Sequence, residues 1–190
     1  MAESHPRRPL GPLSAFPDLY QLFERHTGFY RPLCVAYADA AGICLGRHHE
    51  SPTDFELVTD TSSCFRELSW LVPTIETKAN WNNSDDAVRD GAYSVALAAV
   101  EVELGYVSLM RAEKKTGADY YVGPPGTDVE NAFRLEVSGT EADGAEVEYR
   151  LKEKLKQLRA VSDDLGYACI IGFKVKRVAL SSLEDQSHSE

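Results

Sequence analysis

Long apolar runs, paired cysteines and positive charge are all scarce in this chain, and each shortage closes off a class of protein. No uninterrupted apolar run exceeds the length of Val95 to Val100, far short of the roughly 20 residues that a membrane span needs. The four cysteines, Cys34, Cys44, Cys64 and Cys169, contain no CxxC pair and no short secreted framework, which points to reduced, buried thiols. Lys and Arg number 20 against 30 Asp and Glu, for a net charge of -10, so simple electrostatic attachment to a nucleic-acid backbone is disfavoured. The opening MAESHPRRPLGPLSAF carries two arginines but no apolar stretch behind them; it reads as a tail and not a signal peptide, and the expected location is the cytoplasm. Neither GxxxxGK[ST] nor GxGxxG occurs, and the GPPG at 123–126 has two prolines where a phosphate cradle needs N–H donors.

With 190 residues, 43% of them hydrophobic, the chain is long enough for one domain with a proper core and an N-terminal elaboration. Tails are expected over 1–14 and 181–190. Phe16, Leu19, Tyr20 and Phe23 have the spacing of a short amphipathic helix ending at Gly28, and residues 33–48 read as a second, small-residue-rich helix. Asp54 to Val58 and Cys64 to Leu71 alternate as a hairpin; the segment PTIETKANWNNSDD reads as a loop. From Ser84 or Asp85 as N-cap, a helix runs to Gly105, and it is so apolar between Ala92 and Val102 that it must be buried. VSLMRAE and ADYYV make a hairpin turning at Lys114 to Gly117, NAFRLEVSG a third strand, the stretch from Val147 to Leu158 an amphipathic helix, and Ala168 to Phe173 an interior strand. The fold class is α/β: a mixed sheet flanked by helices, with a core over 84–180 and the helices and hairpin of 15–83 packed on it.

The informative residues are acids on strands. Phe133, Leu135 and Val137 face one way and Arg134, Glu136 and Ser138 the other, so Glu136 sits in a charged row behind a core face. Asp119 lies at the end of the preceding strand. If the two carboxylates converge they form a site for Mg²⁺ or Mn²⁺, hard cations that take one or two carboxylates and keep several waters. Asp119 as a hairpin aspartate, and Glu136 paired with Arg134 or Arg111, are the structural alternatives. Glu101 and Glu103 at the helix end are ligands or solvated charges. Arg150, Lys152, Lys154, Lys156 and Arg159 form a solvated helix face with i,i+4 partners such as Glu146–Arg150 and Glu148–Lys152, or a nucleic-acid contact to which Tyr120 and Tyr121 add stacking surface. Cys44 and His48 share a helical face suited to a metal, with His49 beside them, although histidines near a helix C-terminus are favoured anyway.

The order helix, three strands, helix, strand, with an acid on the second strand and LEVSG on the third, resembles the PD-(D/E)XK nuclease superfamily, the restriction-endonuclease-like fold. The resemblance covers roughly residues 84–175. It implies metal-dependent phosphodiester hydrolysis in bacterial DNA processing, defence or mobile-element biology. Asp119 and Glu136 take the places of the metal-binding acids and Glu101 or Glu103 that of the first-helix glutamate. Two positions depart from the pattern: Ala118 stands for the proline and Ser138 for the lysine. Arg134, Arg150 or Lys154 would then supply the missing charge. The alternative expectation is a scaffold without turnover, serving as an accessory or assembly subunit with a protein partner or a second copy of itself.

Overall fold

The computed structural model describes residues 15–113, 116–161 and 165–183. A 3₁₀ turn, Leu19–Glu24, leads into helix α1 (Arg31–Gly46), the hairpin β1 (Thr53–Val58) and β2 (Ser63–Leu68), the short helix α2 (Ile75–Asn80) and the long helix α3 (Ser84–Leu104). Then follow β3 (Val107–Arg111), β4 (Tyr120–Gly123), β5 (Phe133–Thr140), helix α4 (Gly144–Val161), β6 (Gly166–Gly172) and β7 (Arg177–Ser182). All seven strands belong to one mixed sheet of order β2-β1-β7-β6-β5-β4-β3. Pairs β3–β4, β4–β5, β6–β7 and β1–β2 are antiparallel; β5–β6 and β1–β7 are parallel. The chain is thus α/β, and the first 83 residues supply two strands of the sheet as well as helices packed on it.

Side-chain alternation decides the layering. Leu135, Val137, Cys169, Ile171, Val178 and Leu180 join the cluster built on α1 and α3, whereas Ile170 and Ala179 point to the other face and meet Val147 of α4. The cap of helix α3 lies one residue before the expected Ser84: the Asn83 side chain accepts from the N–H of Asp85, and Asp85 and Asp86 complement the positive helix end. Gly105 closes it at φ 69°, a left-handed cap that glycine adopts without a Cβ clash. The segment read as a loop before α3 holds α2, capped by Thr74. Where one interior strand was expected near the end, the chain turns at 173–176 and returns as β7; Ser181 and Ser182, assigned to a tail, are in that strand and hydrogen bonded to Asp60. The tails over 1–14 and 184–190 and part of the turn at Lys114 to Gly117 lie outside the described residues.

Helices α1 and α3 touch backbone to backbone. A Cβ on Gly91 would stand 2.7 Å from the Ala41 nitrogen, closer than packed atoms tolerate. Gly91→Ala should therefore destabilise the fold by about 1 to 3 kcal/mol, although alanine is the better helix former by about 1 kcal/mol. Urea unfolding measures it; a stabilised variant would contradict the close approach.

Candidate functional site

Strand β5 is longer than its neighbour. On the β4 side its pairing stops at Tyr120↔Leu135, while on the β6 side it continues to Thr140↔Gly172. Past Leu135 the β4 edge of β5 is open, and a buried backbone donor there needs another acceptor. Asp119 supplies it. Its N–H donates to the Leu135 carbonyl at 2.8 Å, and its Oδ2 accepts from the Val137 N–H at 2.8 Å. The other oxygen, Oδ1, accepts from the Tyr93 hydroxyl at 2.8 Å, reaching across from α3. The aspartate is fixed by strand and helix together.

Glu136 lies on the opposite face from Leu135 and Val137, under α4. The row expected to be a charged surface is covered: Arg134 and Glu136 are 7% and 8% exposed. Lys154, one side of which follows the apolar stripe of α4, places Nζ 2.5 Å from Glu136 Oε2. Burial pushes the Glu136 carboxyl above the ordinary glutamate value, the Lys154 ammonium opposes that, and the negative charge of Asp119 adds to it.

Both acids open on one hollow of about 500 Å³, walled also by Arg111, Glu113 and the Gly117–Ala118 backbone. Asp119 also borders a second hollow of about 640 Å³ with Tyr93, Ser138, Arg89, Arg150 and Lys154. In it Arg150 donates to Ser138 Oγ at 3.1 Å and to the Gly139 carbonyl at 3.2 Å, while its Nε holds Glu146 at 2.6 Å. Asp119 is the residue common to the two spaces. Among the described residues no group of three or more His, Cys, Asp or Glu side chains is placed to hold a metal ion, so any ion here rests on two carboxylates and solvent.

Most other expected site residues are elsewhere. Glu101 is at the far end of α3, eight residues or about 12 Å of helix beyond Tyr93. Arg25 at 2.6 Å and His26 at 2.9 Å hold it. His26 accepts the Ser108 N–H on Nδ1, so its Nε2 hydrogen goes to Glu101, a neutral form that burial favours by lowering the imidazole pKa. Glu103 meets Arg66 at 3.3 Å. Arg134 stays beside the site: turned under α4, it donates to the Leu158 carbonyl, and its charge acts on Glu136. Tyr120 is fully enclosed, edge-on to Phe29 and Tyr93, which removes it as a stacking surface; Tyr121 is half-buried and lines neither hollow. Lys152 is exposed, and Glu148 reaches Arg177 at 3.6 Å. Cys44 is buried while His48 bonds Glu141 and His49 the Phe173 carbonyl, so the thiol and the imidazoles do not face one another as ligands.

Tyr93 and Arg111 were not singled out as site residues. Tyr93 left a signal, as the one hydroxylated ring in a helix of Ala, Val and Leu, where a phenol needs a partner. Arg111, expected only as a partner of Glu136, is held instead by a tyrosine cluster, with Nη1 on the Tyr37 hydroxyl and the guanidinium over the rings of Tyr93 and Tyr120.

Comparisons with models of protein families, with curated proteins and with solved structures return no match.

Asp119→Ala leaves the Val137 N–H and the Tyr93 hydroxyl without their acceptor and should cost about 2 to 4 kcal/mol in urea unfolding. Asp119→Asn, which can accept from the one and donate to the other, should cost about 1 kcal/mol or less; equal losses would contradict the bridging role. For Glu136 the raised carboxyl pKa sets the sign. Between the ordinary glutamate value and the raised one, the folded state keeps a proton that the unfolded chain has lost, so stability falls as pH rises through that window. Glu136→Gln should flatten this part of the pH–stability curve, and an unchanged difference between the two curves would count against it.

Proposed function

We propose that the protein hydrolyses phosphodiester bonds of nucleic acid with a divalent metal ion, on a restriction-endonuclease-like core. The observation that carries this reading is the shared hollow of Asp119 and Glu136 with Lys154 on the latter's carboxylate. The element order from α3 to β6 is consistent with the resemblance drawn from the sequence.

The donor set fits a hard cation. Each Asp119 oxygen has one hydrogen bond, Glu136 has one oxygen on Lys154, and carboxylate oxygens can accept more than one partner. Asp119 and Glu136 would hold Mg²⁺ or Mn²⁺; when bound, the ion supplies a lowered water pKa and neutralises phosphate charge. The chain's own groups do the rest. Tyr93 and Val137 fix the aspartate in one orientation, and Lys154 fixes the glutamate. Lys154 also contributes the positive charge that Ser138 cannot, from the helix facing the strand. Arg150 and Arg89, on the wall of the adjoining hollow, are the cations placed for backbone phosphates. The overall charge of -10 makes binding depend on this local set.

A second reading, a binding scaffold without turnover, is favoured by Ser138 and by the absence among the described residues of a third acidic or imidazole ligand. It would serve as an accessory subunit to a protein partner or a second copy. The two readings separate in one experiment. Mn²⁺ or Mg²⁺ at about a hundred times its dissociation constant should stabilise the wild type by about 2.7 kcal/mol, and neither Asp119→Asn nor Glu136→Gln should respond. Equal responses in all three would remove the metal site. With the site established, cleavage of plasmid or oligonucleotide that falls by about 100-fold or more in Lys154→Ala supports catalysis, and metal binding without cleavage leaves the scaffold.

A further inference from the structure

The two tryptophans of the chain, Trp70 and Trp81, line one hollow of about 710 Å³ between the end of α1, the β2–α2 connection and α2. Its size is that of a small-molecule pocket, and it contains neither Asp119 nor Glu136. Ile43, Val72 and Pro73 add apolar wall, while Lys78, Glu50 and Asn82 bring polar groups.

Trp70 makes the space more than a surface dent. It is 7% exposed and lies along α1 beside Gly42 and Gly46, where an added Cβ would be in ordinary contact with its Cδ1 at 3.5 Å and its Nε1 at 3.8 Å. Gly46 borders the hollow. The indole N–H has no acceptor among the described residues, yet it is not one of the sealed polar atoms of the interior. A donor that solvent can reach at a cavity wall is available to an acceptor that enters it. The walls specify what. Indole faces take a flat ring, and the Trp70 N–H takes a ring nitrogen or carbonyl. Lys78, exposed on α2 and without an ion-pair partner among the described residues, takes an anion. Arg47 at the rim is held by Glu141 at 2.9 Å, which leaves Lys78 as the cation for the ligand.

From this we infer that the hollow binds a nucleoside monophosphate unit, free or at the end of a strand, by stacking its base on indole and pairing its phosphate with Lys78. The site stands apart from the carboxylate hollow and does not require it to be active. Because both tryptophans line the pocket, their emission reports occupancy directly. In EDTA, AMP should quench the intrinsic fluorescence saturably, adenosine should bind about tenfold more weakly for want of the phosphate, and ribose 5-phosphate should not quench. Lys78→Ala, an exposed position, should weaken AMP by about the same factor and leave adenosine unchanged. Trp81→Phe should weaken both nucleoside ligands in calorimetry, and Asp119→Asn should bind AMP as the wild type does. A 5′-phosphorylated single-stranded hexanucleotide binding more tightly than AMP identifies a strand end, and the reverse order a free nucleotide. No saturable quenching by AMP, ribose 5-phosphate quenching as AMP does, or Lys78→Ala binding AMP at full strength would each overturn the inference.

Discussion

A backbone N–H with no neighbouring strand to receive it is the constraint on which this architecture turns. Strand β5 outruns β4, and the donor left at Val137 is taken by the carboxylate of Asp119. One side chain therefore completes the sheet edge, ties it to α3 through Tyr93 and opens on both hollows beside the carboxylate pair. A site residue held by two hydrogen bonds from rigid elements loses little freedom when it acquires a ligand, the usual condition for a well-ordered polar centre.

Glu136 gives the complementary case. A carboxylate in the layer between sheet and helix would be costly alone. Lys154 offsets part of that cost, and the nearby charge of Asp119 works against it. Two acids meet Lys154 beside an opening, and the charge of Arg134 acts on Glu136 as well. The opening separates this cluster from the ion pairs elsewhere, such as Glu101 with Arg25 and His26, which serve the junction of the 3₁₀ turn, α3 and β3.

Much of the fold was legible because period and punctuation agreed. Gly105 ended α3, the alternation of FRLEVSG assigned each side chain of β5 to a face, and the apolar run at 168–173 belonged inside the sheet. The short helix α2 was hidden because IETKAN has no buried residue and so no apolar stripe to read. β7 was missed because its identity comes from long-range pairing with β1 and β6. At the site, Asp119 and Glu136 were legible as acids on strands that had to be there for a reason. Glu101 was misplaced because helix spacing fixes its face but not which end of the helix meets the strand termini. Lys154 carried a clue in its number, seven after Val147 and four before Leu158, which puts an ammonium on the buried stripe of α4. The tryptophan-lined hollow had no sequence signal, since its walls come from segments that only the packing of α2 against α1 brings together.

Scattering from a crystal grown with Mn²⁺ tests the central claim most directly, because the anomalous signal locates the ion without assuming its ligands. The account predicts one peak in the hollow of about 500 Å³, within roughly 2.0 to 2.3 Å of oxygens from both Asp119 and Glu136, with solvent completing the shell. Density showing Glu136 still closed on Lys154, Asp119 still bridging Val137 and Tyr93, and no manganese between them would contradict it.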